Sequence, residues 1–158
     1  MTSLDDVAAI AADEHHLAVV STLRGDSTIQ ASVVNAGILA HPATGRPSLA
    51  FVTYGRVKLA NLRARPQVTV TFRHGWQWAT VEGRAQVAGP DDPQPWLADA
   101  DQLRLLLRAV FTAAGGRHEN WEEYDRVMAE QRRTAVLIDP HRTYSNGEPA
   151  PRPGSSGR

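Results

Sequence analysis

At 158 residues the chain is long enough for one domain around one core, since domains usually run about 100 to 150 residues. Lys plus Arg and Asp plus Glu balance at 17 each, so no bulk field draws the chain to nucleic acid or to an acidic membrane surface, and any anion site must be local. The absence of cysteine excludes disulfides, thiolate chemistry and Cys-based metal sites, and it fits a reducing compartment, with the cytoplasm as the default.

The opening MTSLDDVAAIAADEHH has early acidic residues and no basic start before an apolar run, so a signal peptide is not expected. Nor does any stretch approach the roughly 18 apolar residues of a membrane span. Ser3 followed by Asp6 reads as a capping box, and Val7, Ile10 and Ala11 at helical spacing predict a helix of about three turns ending near His15 or His16. The run LAVVSTL, Leu17 to Leu23, is a short β-branched strand, and Arg24-Gly25-Asp26-Ser27 has turn chemistry, so a hairpin follows. Thr28 to Ala40 reads as the second strand and Ser48 to Tyr54 as the third, joined by His41 to Pro47. Gly55 breaks the pattern. Arg56 to Arg65 then places Val57, Leu59, Ala60 and Leu62 at helical spacing until Pro66 stops it.

Gln67 to Arg73 alternates, with Val68, Val70 and Phe72 on one face. In the next strand, Trp76 to Ala88, small residues from Ala79 to Val87 share one face and Trp76, Trp78, Thr80 and Glu82 the other. Asp91-Asp92-Pro93 has the chemistry of a helix start, with Leu103, Leu106, Leu107 and Val110 as the apolar stripe and Gly115-Gly116 as the stop. A further helix is predicted around Trp121, Tyr124, Val127 and Met128, with Arg132-Arg133 near its C-terminal end. The last strand is Thr134 to Ile138, with a resumption through Tyr144. About six antiparallel strands with short turns predict a split β-barrel, residues 1–148, carrying a helical insert at about 91–132. The final residues 149–158, PAPRPGSSGR, lack apolar side chains and are expected to form a disordered tail.

Motif chemistry is sparse. The six histidines show no HxxxH or HExxH spacing, so no metal site is expected. Serine-hydrolase, P-loop and dinucleotide fingerprints are missing too. Paired carboxylates at Asp5-Asp6, Asp91-Asp92 and Glu122-Glu123 sit at predicted helix starts, where capping and dipole effects account for them. The exception is FVTYGRVKLANLRARP, Phe51 to Pro66. There a strand delivers Thr53, glycine frees the turn, and Arg56 and Lys58 open a helix whose unpaired N–H groups favour an anion. The same cations also suit a solvated helix face.

The stretches Leu17 to Val34, Phe51 to Phe72 and Trp78 to Val87, in that order, resemble the pyridoxamine 5′-phosphate oxidase-like superfamily of FMN-binding split barrels. The branch they look most like is the coenzyme F420 (deazaflavin)-dependent oxidoreductases of actinobacteria. The resemblance implies that an RxKxxNL pattern binds the cofactor phosphate, which falls on Arg56, Lys58, Asn61 and Leu62, with Thr53 as an added donor. It implies that the second strand, at Ser32, Val33, Val34 and Asn35, runs along the cofactor ring, and that Trp76 and Trp78 face the cofactor or the partner of a homodimer. Many members have Ser or Thr where this chain has Gly55, which favours F420 over FMN. Arg24, Arg46, Arg63 and Arg65 are candidates for the acidic F420 tail. The implied activity is hydride transfer from reduced F420 to an unsaturated small molecule. An FMN-dependent oxidase or reductase, a non-catalytic flavin, F420 or haem binder, and a purely structural dimer are the alternatives. Tyr54 and His74 are the candidate proton donors.

Overall fold

Residues 1–147 of the computed structural model are described here, so the expected tail at 149–158 lies outside the described residues. Helix α1, Leu4–Asp13, starts at the capping box, with the Ser3 hydroxyl accepting from the Asp6 N–H. Its Val7, Ile10 and Ala11 are buried. His15 and His16 follow in the left-handed region, at φ 55° and 58°, and turn the chain into strand β1, Leu17–Leu23. The hairpin to β2, Ile29–Asn35, is held by the Asp26 carboxylate. It accepts from the Thr28 N–H at 3.0 Å and the Thr28 hydroxyl at 2.6 Å.

The predicted second strand is two strands. At Ala36 the backbone N–H leaves the β2 ladder and donates to the His16 carbonyl at 2.9 Å, and β3, Gly37–Ala40, then pairs with β4, Pro47–Thr53. Helix α2, Arg56–Ala64, is followed by β5, Gln67–His74, and β6, Gln77–Ala88. Trp76 belongs to the turn before β6, not to the strand, and is 92% exposed. After helices α3, Ala100–Ala113, and α4, Trp121–Glu130, the last strand β7 runs without a break over Thr134–Ser145.

All pairings are antiparallel, in the order β2-β1-β5-β6-β7-β4-β3. Among the described residues seven strands therefore replace the six expected, and the edge strands β2 and β3 are not paired with each other, so the sheet stays split. Two cores lie against it. Val20, Phe51, Val70, Phe72, Val81 and Ile138 pack under α1, while Ala50, Ala88 and Leu137 meet Leu106, Leu107 and Val110 of α3. The neighbours β4 and β7 are thus buried on both faces, which is why SLAFV and AVLI are unbroken apolar runs.

The predicted helix start at Asp91-Asp92-Pro93 is not one. Helix α3 begins nine residues after Asp91, capped by Asp99. Asp92 instead holds Arg63 of α2 with two hydrogen bonds, at 2.8 and 2.6 Å, and Asp91 holds Arg132 at 2.5 Å. The carboxylates tie the long connection to α2 and to the end of α4. No helix among the described residues is long and apolar enough to cross a membrane.

Candidate functional site

Beside the C-terminal end of β4 lies a cleft of about 1040 Å³. One wall is Thr53, Tyr54, Gly55, Arg56 and Lys58, where β4 passes into α2. Another is Val33, Val34 and Asn35 of β2 with His15 and His16. The third comes from the helices: Val110, Phe111 and Ala114 to Gly116 at the end of α3, Tyr124 and Met128 of α4, and Arg133.

Gly55 is the N-cap of α2 and brings no capping side chain. The first backbone bond of the helix is from Leu59 N–H to Gly55 C=O at 3.0 Å, so the N–H groups of Arg56, Val57 and Lys58 have no acceptor within the helix. There is no carboxylate in this first turn. The Thr53 hydroxyl oxygen accepts from the Gly55 N–H at 3.1 Å, leaving its own hydrogen to donate. Lys58 is 7% exposed and has no carboxylate partner among the described residues; its ammonium sits 5.5 Å from the centre of the Phe51 ring. Burial holds its pKa below the ordinary lysine range. Buried ammonium groups are almost always paired, so a counter-anion fits here.

Arg133 stacks on the Tyr54 ring at 3.7 Å, and its Nε donates to Gln131 at 2.9 Å. Burial lowers its pKa as well. Tyr124 donates its hydroxyl hydrogen to the Leu107 carbonyl at 3.2 Å, and burial raises its pKa to about 12. It is a fixed wall, not a proton carrier at neutral pH.

Of the residues singled out in the sequence, Val33, Val34, Asn35, Thr53, Tyr54, Arg56 and Lys58 meet in this one cleft. Ser32 does not line it; its hydroxyl oxygen is sealed and unpartnered. Asn61 points into the core, where its amide donates to the Thr22 hydroxyl at 3.0 Å. Trp78 lies edge-on to Tyr144 and, like Trp76, is off the cleft. His74 is near Glu14 at 4.0 Å, also outside it. Arg63 is occupied by Asp92, and Arg65 donates to the Leu23 carbonyl at 2.9 Å. Sequence reasoning missed His15, His16, the α3 end and Arg133. The signals were there: a tandem His before an apolar strand, and Gly115-Gly116, read only as a helix stop.

An open antiparallel sheet with a cleft at the β4–α2 corner, lined there by Arg56 and Lys58, is the architecture of a split barrel. Over residues 4–146 the chain matches the pyridoxamine 5′-phosphate oxidase family, and it belongs to that family. Solved structures share the fold at low identity. The conserved hypothetical protein Rv2991 from Mycobacterium tuberculosis superposes with a TM-score of 0.64 at 17% identity, covering 99% of this chain and 94% of that one. An F420 reductase gives 0.55 at 15% identity, over 84% and 91%. A pyridoxamine 5′-phosphate oxidase-related, FMN-binding protein from Nostoc punctiforme gives 0.58 at 14%, over 89% and 81%.

Proposed function

We propose that the chain is an oxidoreductase subunit that binds coenzyme F420 in this cleft and serves hydride transfer to an unsaturated small molecule. The observation that carries the reading is Lys58, a lysine only 7% exposed with no ion-pair partner among the described residues, beside a helix N-terminus with free N–H groups. These residues fit a phosphate: Lys58 and Arg56 supply charge, and the Thr53 hydroxyl and the first N–H groups of α2 supply directed donors. Val33, Val34 and Asn35 offer a strand edge for a planar ring, with Tyr54 and Arg133 across the cleft. When bound, the deazaflavin supplies the hydride. The chain's part is to fix its orientation and to shield the reacting face from water.

FMN is the second reading. Three cations, Arg56, Lys58 and Arg133, suit a terminal phosphate dianion, although Gly55 withholds the hydroxyl donor that such a group would use. A homodimer is part of the proposal. The outer face of β1 and β2 exposes Leu17, Val19, Ile29 and Val33 together, and Val33 also lines the cleft. A second copy seated there would close the site and offer its own Trp76 and Trp78 to it.

Parallel titration with F420 and FMN tests the site in the wild type and in Lys58→Ala. Loss of a charged hydrogen bond to the phosphate is worth about 1.5–3 kcal/mol, so F420 affinity should drop by roughly 10- to 100-fold. Undiminished binding by Lys58→Ala removes the phosphate assignment. Tighter FMN than F420 binding by the wild type favours the second reading.

A further inference from the structure

His16 has three properties that the phosphate grip leaves unused. Its backbone is left-handed at φ 58°, directly after His15 at 55°, a conformation that is strained for a non-glycine residue and clusters at functional sites. Its ring lines the cleft and occupies space that only a glycine leaves open: a Cβ on Gly115 would come within 2.5 Å of His16 Cδ2. Gly115 is itself at φ 83°, so both the space and the backbone demand glycine there.

The third property concerns the ring nitrogens. Nδ1 is sealed from solvent and has no hydrogen-bond partner. Buried N–H groups are left without an acceptor more rarely than acceptors are left without a donor, so the sealed position suits a bare lone pair. In the tautomer that leaves Nδ1 bare the hydrogen is on Nε2, which has no partner among the described residues and is not sealed. The wall that holds it, the start of β1 against the end of α3, is not the wall that carries Arg56 and Lys58.

We propose that His16 Nε2–H is a hydrogen-bond donor to a carbonyl oxygen of the planar ring system that fills the cleft. The inference rests on the cofactor reading above and adds the contact at the ring end. An N–H donor suits a carbonyl oxygen, while the charges of the phosphate are met by the cations of α2. The Ala36 N–H to His16 C=O bond and the Asn35 side chain, whose amide donates to the His15 carbonyl at 2.8 Å, hold the two histidines against β2. The donor is thereby fixed to the same strand end that borders the ring.

The test uses a ligand without the phosphate. F420 and its phosphate-free deazaflavin chromophore are titrated against the wild type, His16→Gly and Lys58→Ala, with FMN and riboflavin as a parallel pair. Glycine tolerates the left-handed backbone, so His16→Gly removes the ring without adding strain. The expected result is an affinity loss of about 5- to 10-fold for both F420 and the chromophore in His16→Gly, matching one neutral hydrogen bond. In Lys58→Ala the loss should be confined to F420. Undiminished chromophore binding by His16→Gly overturns this inference alone; a wild type that binds neither cofactor overturns the proposed function and this inference with it. Nitrogen NMR of the unaltered, histidine-labelled protein tests the same point without a variant. The expected pattern is a protonated Nε2, a bare Nδ1 and an Nε2 signal that moves when the chromophore is added. A protonated Nδ1, or an Nε2 signal that stays put, overturns the inference.

Discussion

Lys58 is costly to the empty protein, and that cost is measurable. The residue is only 7% exposed, lies beside Phe51 and has no carboxylate partner among the described residues, so its charge carries an uncompensated desolvation cost that an apolar side chain of similar length avoids, on the order of 1 kcal/mol. Lys58→Met should therefore raise the Tm of the ligand-free protein by about 3 °C at neutral pH while abolishing the phosphate contact. The sign of the pH dependence follows from burial, which holds the folded-state pKa below that of the unfolded chain. Between the two values the unfolded chain binds more protons, so wild-type stability rises with pH through that alkaline window and the penalty is full below it. Thermal melts across the window should show this rise in the wild type and a flatter profile in Lys58→Met. Equal slopes and a lower Tm for the variant would mean that Lys58 already has its counter-charge.

At the scale of elements, the cleft depends on how closely α3 approaches the sheet. Gly37, the first residue of β3, lies so near the end of α3 that a Cβ there would sit 2.1 Å from the Ala113 carbonyl oxygen. Gly37→Ala must push the helix end outward, at about 1–3 kcal/mol for an overpacked core. Because Ala114, Gly115 and Gly116 wall the cleft, the same substitution should weaken cofactor binding by several-fold, checked by denaturant melts and titration on one preparation. A stability loss with unchanged affinity would show that the α3 wall does not touch the ligand. The approach that demands Gly37 also explains what the sequence could and could not tell. Strands with clear alternation or β-branched runs, such as Gln67 to Arg73 and Leu17 to Leu23, were legible because one face or both is buried locally. The break at Ala36 was not, since strand-forming residues flank Asn35-Ala36-Gly37 on both sides and the bond that redirects the chain is to the distant His16 carbonyl. Asp91 and Asp92 misled for a related reason: beside a proline they look like a helix start, while their partners Arg132 and Arg63 are 41 and 29 residues away. Of the site, the Thr53 to Lys58 corner was legible from glycine placement and charge. The α3 and α4 wall was not, because nothing in its helical pattern says which cavity it faces.

For the whole molecule, the exposed face of β1 and β2 is the feature least suited to an isolated chain. On one face of the hairpin, Val19 lies opposite Val33, with Leu17 toward one end and Ile29 toward the other, and Leu17, Val19, Ile29 and Val33 have 40%, 42%, 67% and 63% of their surface exposed. Because β2 is also an edge of the sheet, water meets both an apolar patch and an unpaired ladder, a combination that proteins usually cover. Covering it with a second copy places the partner against Val33 and so against the cleft. Val19 and Ile29 share this face without lining the cleft, which makes them clean probes. A Val19→Asp, Ile29→Asp double variant should elute with half the wild-type mass by light scattering, since an unpaired carboxylate buried in an apolar interface costs far more than such a contact returns. It should also lose about tenfold or more in F420 affinity, although neither side chain touches the ligand. An unchanged mass would show that this face is not an interface between two copies. A monomer that binds F420 with full affinity would show that one chain completes the cleft, and that Trp76 and Trp78 have no part in it.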